Sequence, residues 1–258
     1  MKYFLSLITI IFFFSCEEVI EVELNEADQR IVIEGNIEAD QQKAVVEISK
    51  SGSFYETNDF EKIKGADVVV LSESGEEFQL AETSDGKYES DNFETEVGDI
   101  FTLKINNADE NAYEAETNVP QVIEIGELTS EKNEGIGGIF YLVSCFFQDT
   151  KNEKNYYRIK YKKNDELNND YFVFDDLTFD GEYVEIVLFI NEAESGDVID
   201  LELISFDEDS YEYFEQIGDV TNAGLSNSVP YNPQGNINNE ALGYFGARGS
   251  SRDTTVLE

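Results

Sequence analysis

Short runs in which apolar and polar residues alternate, each closed by a turn signal, constrain this chain most strongly. Tyr113-Glu114-Ala115-Glu116-Thr117-Asn118-Val119 alternates without a break and stops at Pro120. Before it come Ile31-Val32-Ile33, Ala44-Val45-Val46-Glu47-Ile48, Asp67-Val68-Val69-Val70-Leu71 and Ile100-Phe101-Thr102-Leu103-Lys104-Ile105. Ser74-Gly75, Asp85-Gly86 and Gly98-Asp99 punctuate them. Period two places successive side chains on opposite faces of a strand, and β-branched and aromatic residues suit that surface. The pattern predicts an all-β (mainly β) fold. Residues 30–120 are expected to form an immunoglobulin-like β-sandwich without its disulfide, and 121–258 a second β-rich domain. Strands of the second region are expected at 139–147, 156–161, 171–174, 183–190 and 198–204, with a last one at Gly243–Ala247.

One segment breaks the β period. Ser205-Phe206-Asp207-Glu208 reads as a capping box with Ser205 at the N-cap, and Phe206, Ser210, Tyr213, Phe214 and Ile217 follow at spacings of three and four. Gly218 supplies a stop signal. A short helix near residues 206–217 is expected to pack this stripe on a sheet; a binding role for its tyrosines is the alternative.

The N-terminus reads as an address. Lys2 precedes an apolar run from Phe4 to Phe14, broken by Ser6 and Thr9. A membrane-spanning helix needs about 20 apolar residues, so the run has the length of a signal-peptide core instead. It ends at Ser15-Cys16, a small residue before a cysteine, which resembles a lipobox, although Phe13 and Phe14 replace its usual residues. The expectation is a signal peptide over 1–15, lipidation at Cys16 and an acidic tether over 16–29. Several acyl chains on Cys16 would make membrane anchoring effectively permanent. A plain secretory signal with Cys16 unmodified is the alternative. Glu17 and Glu18 resemble a surface-export signal, so the protein is expected in the outer membrane, exposed at the cell surface.

Composition narrows the chemistry. There are 56 acidic and 17 basic residues and no histidine. Such a surface repels nucleic acid, whose binding depends on Lys and Arg neutralising phosphates, and favours cations or a basic partner. Without histidine there is no Ser-His-Asp triad, no Cys-His dyad and no His-ligated zinc or haem. With Cys16 lipidated, Cys145 stands alone in the apolar run Ile139–Phe147, where a buried thiol is expected. Paired carboxylates are the remaining catalytic device, but among so many acids a pair such as Asp175 and Asp176 has no meaning by itself. No catalytic residue is assigned, and the chain is expected not to be an enzyme. No cofactor is expected either. Calcium has oxygen-rich candidate loops in 164–170 and in Asp207-Glu208-Asp209, yet neither has the spacing of an EF-hand, and solvated loops or helix-dipole partners explain them. The Asn- and Gly-rich segment 230–246 is expected to be a structural connection, with a recognition loop as the alternative.

Several of these pieces recur in one order: the cysteine with its acidic tether, Val32-Ile33-Glu34-Gly35, and Asp99-Ile100-Phe101-Thr102-Leu103. Tyr113-Glu114-Ala115 ending at Val119-Pro120, Tyr156-Tyr157-Arg158-Ile159, and Asn236-Ile237 before Gly243-Tyr244-Phe245-Gly246-Ala247 complete it. The order resembles the domain-of-unknown-function 4249 lipoproteins of Bacteroidota across nearly the whole chain after the signal. The resemblance implies no catalytic residues. It implies an accessory or binding role beside a TonB-dependent outer-membrane transporter. A surface adhesion module and a carboxylate-dependent hydrolase are the other readings.

Overall fold

The computed structural model describes residues 29–52, 60–90, 93–135, 138–168, 172–222 and 231–258. The expected signal peptide, Cys16 and all but the last residue of the tether lie outside the described residues.

The all-β class is what the structure shows. Sixteen strands are described: β1 (Ile31–Glu38), β2 (Lys43–Lys50), β3 (Asp67–Ser72), β4 (Glu77–Gln79), β5 (Ala81–Ser84), β6 (Lys87–Ser90), β7 (Ile100–Asn106) and β8 (Tyr113–Asn118), then β9 (Ile125–Gly135), β10 (Gly138–Gln148), β11 (Tyr156–Lys163), β12 (Glu166–Leu167), β13 (Phe172–Asp175), β14 (Tyr183–Ile190), β15 (Val198–Phe206) and β16 (Leu242–Val256). One helix, α1, spans Glu208–Asn222.

A long sheet runs β12-β11-β15-β16-β1-β2-β6-β5, with β13 also on β11. Two smaller sheets, β4-β3-β7-β8 and β14-β10-β9, accompany it. The centre of the long sheet is β16. Its first half pairs in parallel with β1, Val32 opposite Leu242 through Glu38 opposite Arg248. Its second half pairs antiparallel with β15, Phe206 opposite Arg248 through Val198 opposite Val256. The last strand of the chain therefore joins the sheet of the first region to that of the second.

Strand periodicity then sorts the layers. Phe245 and Ala247 of β16 enter a core made with Ile33, Val46, Val70 and Leu103. Further along the same face, Gly249 lies against Val122, and Ser251 Oγ accepts the Ile125 N–H. There a second core is built from Val143, Phe147, Tyr157, Ile159 and Leu203. The two cores fall on either side of Pro120, apart from the residues that the 237–257 segment sends back into them.

The opposite face of β16 carries the helix. Tyr244 stacks on Tyr213 with ring centroids 4.8 Å apart and meets Phe214 edge-on at 5.1 Å. Ser210 sits over Gly246, where a Cβ would lie 1.8 Å from Ser210 Oγ. The stripe foreseen in the sequence thus packs on the sheet, but its boundaries differ. The helix starts at Glu208 and runs through Gly218 to Asn222, and the N-cap is Asp207, whose Oδ1 accepts the Ser210 N–H at 2.7 Å. Ser205 is still in β15, opposite Gly249, so it cannot cap.

Candidate functional site

Three places in the described residues have the chemistry to do more than hold the fold. The first is a carboxylate cluster. Asp149, after β10, and Asp176 and Asp180, between β13 and β14, bring their oxygens within 4.8 Å of one another. Asp149 and Asp176 are buried. Asp149 accepts the Tyr157 hydroxyl and the Gly181 N–H, the latter at 2.6 Å. Asp176 accepts the Asn155 N–H at 3.0 Å, and Asp180 accepts that of Asn152 at 2.7 Å. Burial, and then the neighbouring Asp149 charge, push the Asp176 carboxyl above the ordinary carboxylate range. The three could ligate a hard cation, as oxygen donors suit calcium. Their observed work is to staple the β10–β11 loop to the β13–β14 loop. The hydrolase reading asked for two close acids in a cleft; these two are close but sealed.

The second place is a pocket of about 470 Å³ on the helix side of the long sheet, lined by Lys160, Lys162, Leu167, Asp200, Glu202 and Arg252 among others. The same face carries Arg158 and Arg248, so basic residues gather here in a strongly acidic chain. Arg248 pairs with Glu38, and Arg252 with Glu202. Burial holds the Lys160 ammonium below its usual range; Glu202 opposes this, while Arg158, Arg248 and Arg252 add to it. The pocket can accept a small anion, with its arginines already largely neutralised by their own acids.

The third place is the outer face of β14-β10-β9. Phe140 stacks on Phe189 at 5.8 Å and Phe146 on Tyr183 at 6.0 Å. Tyr183, Val187 and Phe189 keep 57, 43 and 63 % of their surface exposed. Cross-strand neighbours Glu127, Glu131 and Glu185 give this apolar patch an acidic surround. Contiguous exposed apolar surface of this kind marks a site of interaction, whereas single exposed residues do not.

The positions singled out in the sequence are mostly occupied by structural duties. Asp207 is buried, where its carboxylate takes the Thr117 hydroxyl, the Ala247 N–H at 3.0 Å and the Ser210 N–H. Glu208 accepts the Tyr156 hydroxyl at 2.6 Å and Asp209 the Asn236 amide at 3.2 Å. Asn164 binds Asp197 and the Val198 N–H, while 169–171 lie outside the described residues. Asp175 accepts the Leu177 N–H at 3.2 Å, and its partner in the sequence pair, Asp176, belongs to the buried cluster. In the 231–241 segment, Asn236 binds both the N–H and the C=O of Phe245, and Asn238 and Asn239 bind the backbone of Glu114 and Ala112. That is a structural connection; Pro230 lies outside the described residues. Cys145 is buried, and burial, with the Asp253 charge, pushes its thiol up to about 12. Sequence reasoning missed the outer aromatic face, although the even positions Phe140, Leu142 and Phe146 and the odd positions Tyr183, Val187 and Phe189 were there as a two-faced apolar pattern.

A family model described as "Domain of unknown function (DUF4249)" matches residues 17–254. No curated protein matches the chain.

Proposed function

Because the chain belongs to the DUF4249 family, which covers it from residue 17 to residue 254, we propose that it works as a non-catalytic binding or accessory protein. It is held in the outer membrane by a lipid on Cys16, faces the cell surface, and serves a TonB-dependent nutrient transporter. The observation that carries the binding part is the exposed aromatic face of β14-β10-β9, where stacked rings are left in solvent. The Ser15-Cys16 junction after a short apolar run supports the anchor.

Cross-linking of intact outer membranes, mild detergent extraction and capture of this chain test the reading. A transporter barrel in stoichiometric amount is expected, and the double change Tyr183→Ser and Phe189→Ser is expected to lose it. A protein that is protease-accessible on the surface yet captures no barrel would overturn the accessory role and favour adhesion.

A further inference from the structure

An unpaired sheet edge is a template for another strand, and proteins blunt such edges by shortening, charging or covering them. This molecule blunts all but one of its described edges. The long sheet ends in β12, two residues, and β5, four exposed residues, while the four-residue β13 lies against α1. The four-stranded sheet ends in β4, three residues, and in β8, whose backbone is bound by Asn236 and Asn238. In the three-stranded sheet, β9 carries Glu127, Glu131, Lys132 and Glu134. The exception is β14, Tyr-Val-Glu-Ile-Val-Leu-Phe-Ile: eight residues, one charge, no proline and no glycine. No described strand pairs with its outer side.

The ladder says which groups are open. Asp149 donates its N–H to the Glu182 carbonyl at 3.0 Å, in register with the β10–β14 pairing. In an antiparallel pair the bonding direction alternates along the strand. Val184, Ile186, Leu188 and Ile190 therefore bond inward to β10. The N–H and C=O groups of Tyr183, Glu185, Val187 and Phe189 point away from the sheet, and the side chains of these four are the exposed ones.

We propose that β14 is the docking edge for an extended, basic segment of a partner protein, which adds as a fourth strand to β14-β10-β9. This rests on the binding-protein reading above and names the chemistry of the partner. Charge selects the occupant. From Asn164 to Ala247 the chain contains no Lys or Arg, and Asp180, Glu182, Glu185, Glu192 and Glu194 lie on or beside β14. A second copy would bring the same acids to the same edge. A strand that carries Lys and apolar residues together on one face sets its Lys against Glu185 and its apolar side chains against Tyr183, Val187 and Phe189, while its backbone supplies the missing hydrogen bonds.

The test is site-resolved amide exchange on the full chain with a synthetic Lys/Val peptide as probe, in which every second residue runs Val-Lys-Val with Thr between them, and with its Glu/Val counterpart. Exchange at Tyr183, Glu185, Val187 and Phe189 is expected to slow by about tenfold or more, with little change at the inward-bonded positions between them; a Glu/Val peptide is expected to protect nothing. Val187→Pro deletes an outward N–H and no bond to β10, so it is expected to keep the parent's thermal melt and bind the peptide at least about tenfold more weakly. Equal binding by a folded Val187→Pro protein, or equal protection by the Glu/Val peptide, overturns the proposal. So does protection that rises with protein concentration alone, which would assign the edge to a second copy. If Val187→Pro does not fold, Glu185→Lys decides by the same readout: weaker binding is expected, and unchanged binding overturns. In cross-linked membranes, a barrel captured equally by parent and variant removes the edge proposal and leaves the accessory role standing; peptide binding without any barrel does the reverse.

Discussion

At Gly243 the backbone turns into β16 with φ of +94°, and a Cβ there would lie 1.9 Å from the Ile33 carbonyl oxygen. Both the dihedral and the contact exclude a side chain. Gly246 is different: its φ is ordinary and the obstacle is the Ser210 hydroxyl, which can rotate. Gly243→Ala is therefore expected to cost more than about 3 kcal/mol and Gly246→Ala clearly less, read as urea midpoints with unchanged slopes. The Gly243–Ala247 sequence is accordingly a packing motif, each residue with a separate neighbour. Asp207 is a second point of this kind. Replacing it by Ala leaves the Thr117, Ser210 and Ala247 donors buried without an acceptor, and a loss of about 3 kcal/mol is expected, with Asp207→Asn milder because it keeps an oxygen for the cap. Cys145 tests burial of the second core. Its raised thiol pKa and complete burial predict no reaction with a thiol reagent at pH 8 until denaturant is added; rapid labelling of the native protein would contradict the packing.

At the scale of elements, β16 has no isolated role, since it is the neighbour of β1 in one half and of β15 in the other. Deleting residues 242–258 is expected to expose both cores together, seen as protease sensitivity on both sides of Pro120 in one time course. Digestion confined to the second region would show that the first holds without it. How much of this could be read from the chain depends on where the specifying contacts lie. Strands such as 183–190 were legible to the residue, because a half-buried strand writes its period locally. The second half of β16 was not. Arg248 to Val256 is polar, and its place in the middle of a sheet is secured by partners far away in sequence: Glu38 for Arg248, Glu202 for Arg252, Asp200 for Thr254. The helix was visible from its three-and-four spacing, but its start was misplaced. Ser205 and Asp207 are both good caps by type, and only the long-range bonds of Asp207 to Thr117 and Ala247 select between them. The carboxylate cluster was invisible for the same reason, since Asp149 and Asp180 come from different loops, each crossing between sheets. That β14 is an edge belongs to the order of the sheets, which no local pattern encodes.

For the whole molecule, a formal charge of −39 and several buried acids act in the same direction. Burial raises the carboxyl pKa of Asp176 and Asp207. A carboxyl with its folded pKa above its unfolded value binds more protons when folded in the interval between the two, so stability rises as pH falls through that interval. Acidification also relieves self-repulsion across the acidic surface. Glu89 works the other way. Ion pairs to Lys43 at 2.6 Å and Lys87 at 2.9 Å hold its carboxyl at about 2. Its contribution is complete above the unfolded carboxyl value of 4.5 and is lost as pH falls from there through about 2. The melting temperature should therefore climb as pH falls from 8 towards the unfolded carboxyl values of 3.8 to 4.5 and fall again below them. Asp176→Asn separates the causes, because it removes one buried charge next to Asp149 and changes the total charge by one unit. It is expected to melt higher than the parent at pH 8 and to gain less on acidification, with the two curves converging as pH falls to the unfolded aspartate value of 3.8. A parent curve that falls steadily from pH 8 downward would mean that paired acids such as Glu89 outweigh the buried ones, and the stapling carboxylates would then be stabilised by more than the hydrogen bonds they are seen to accept.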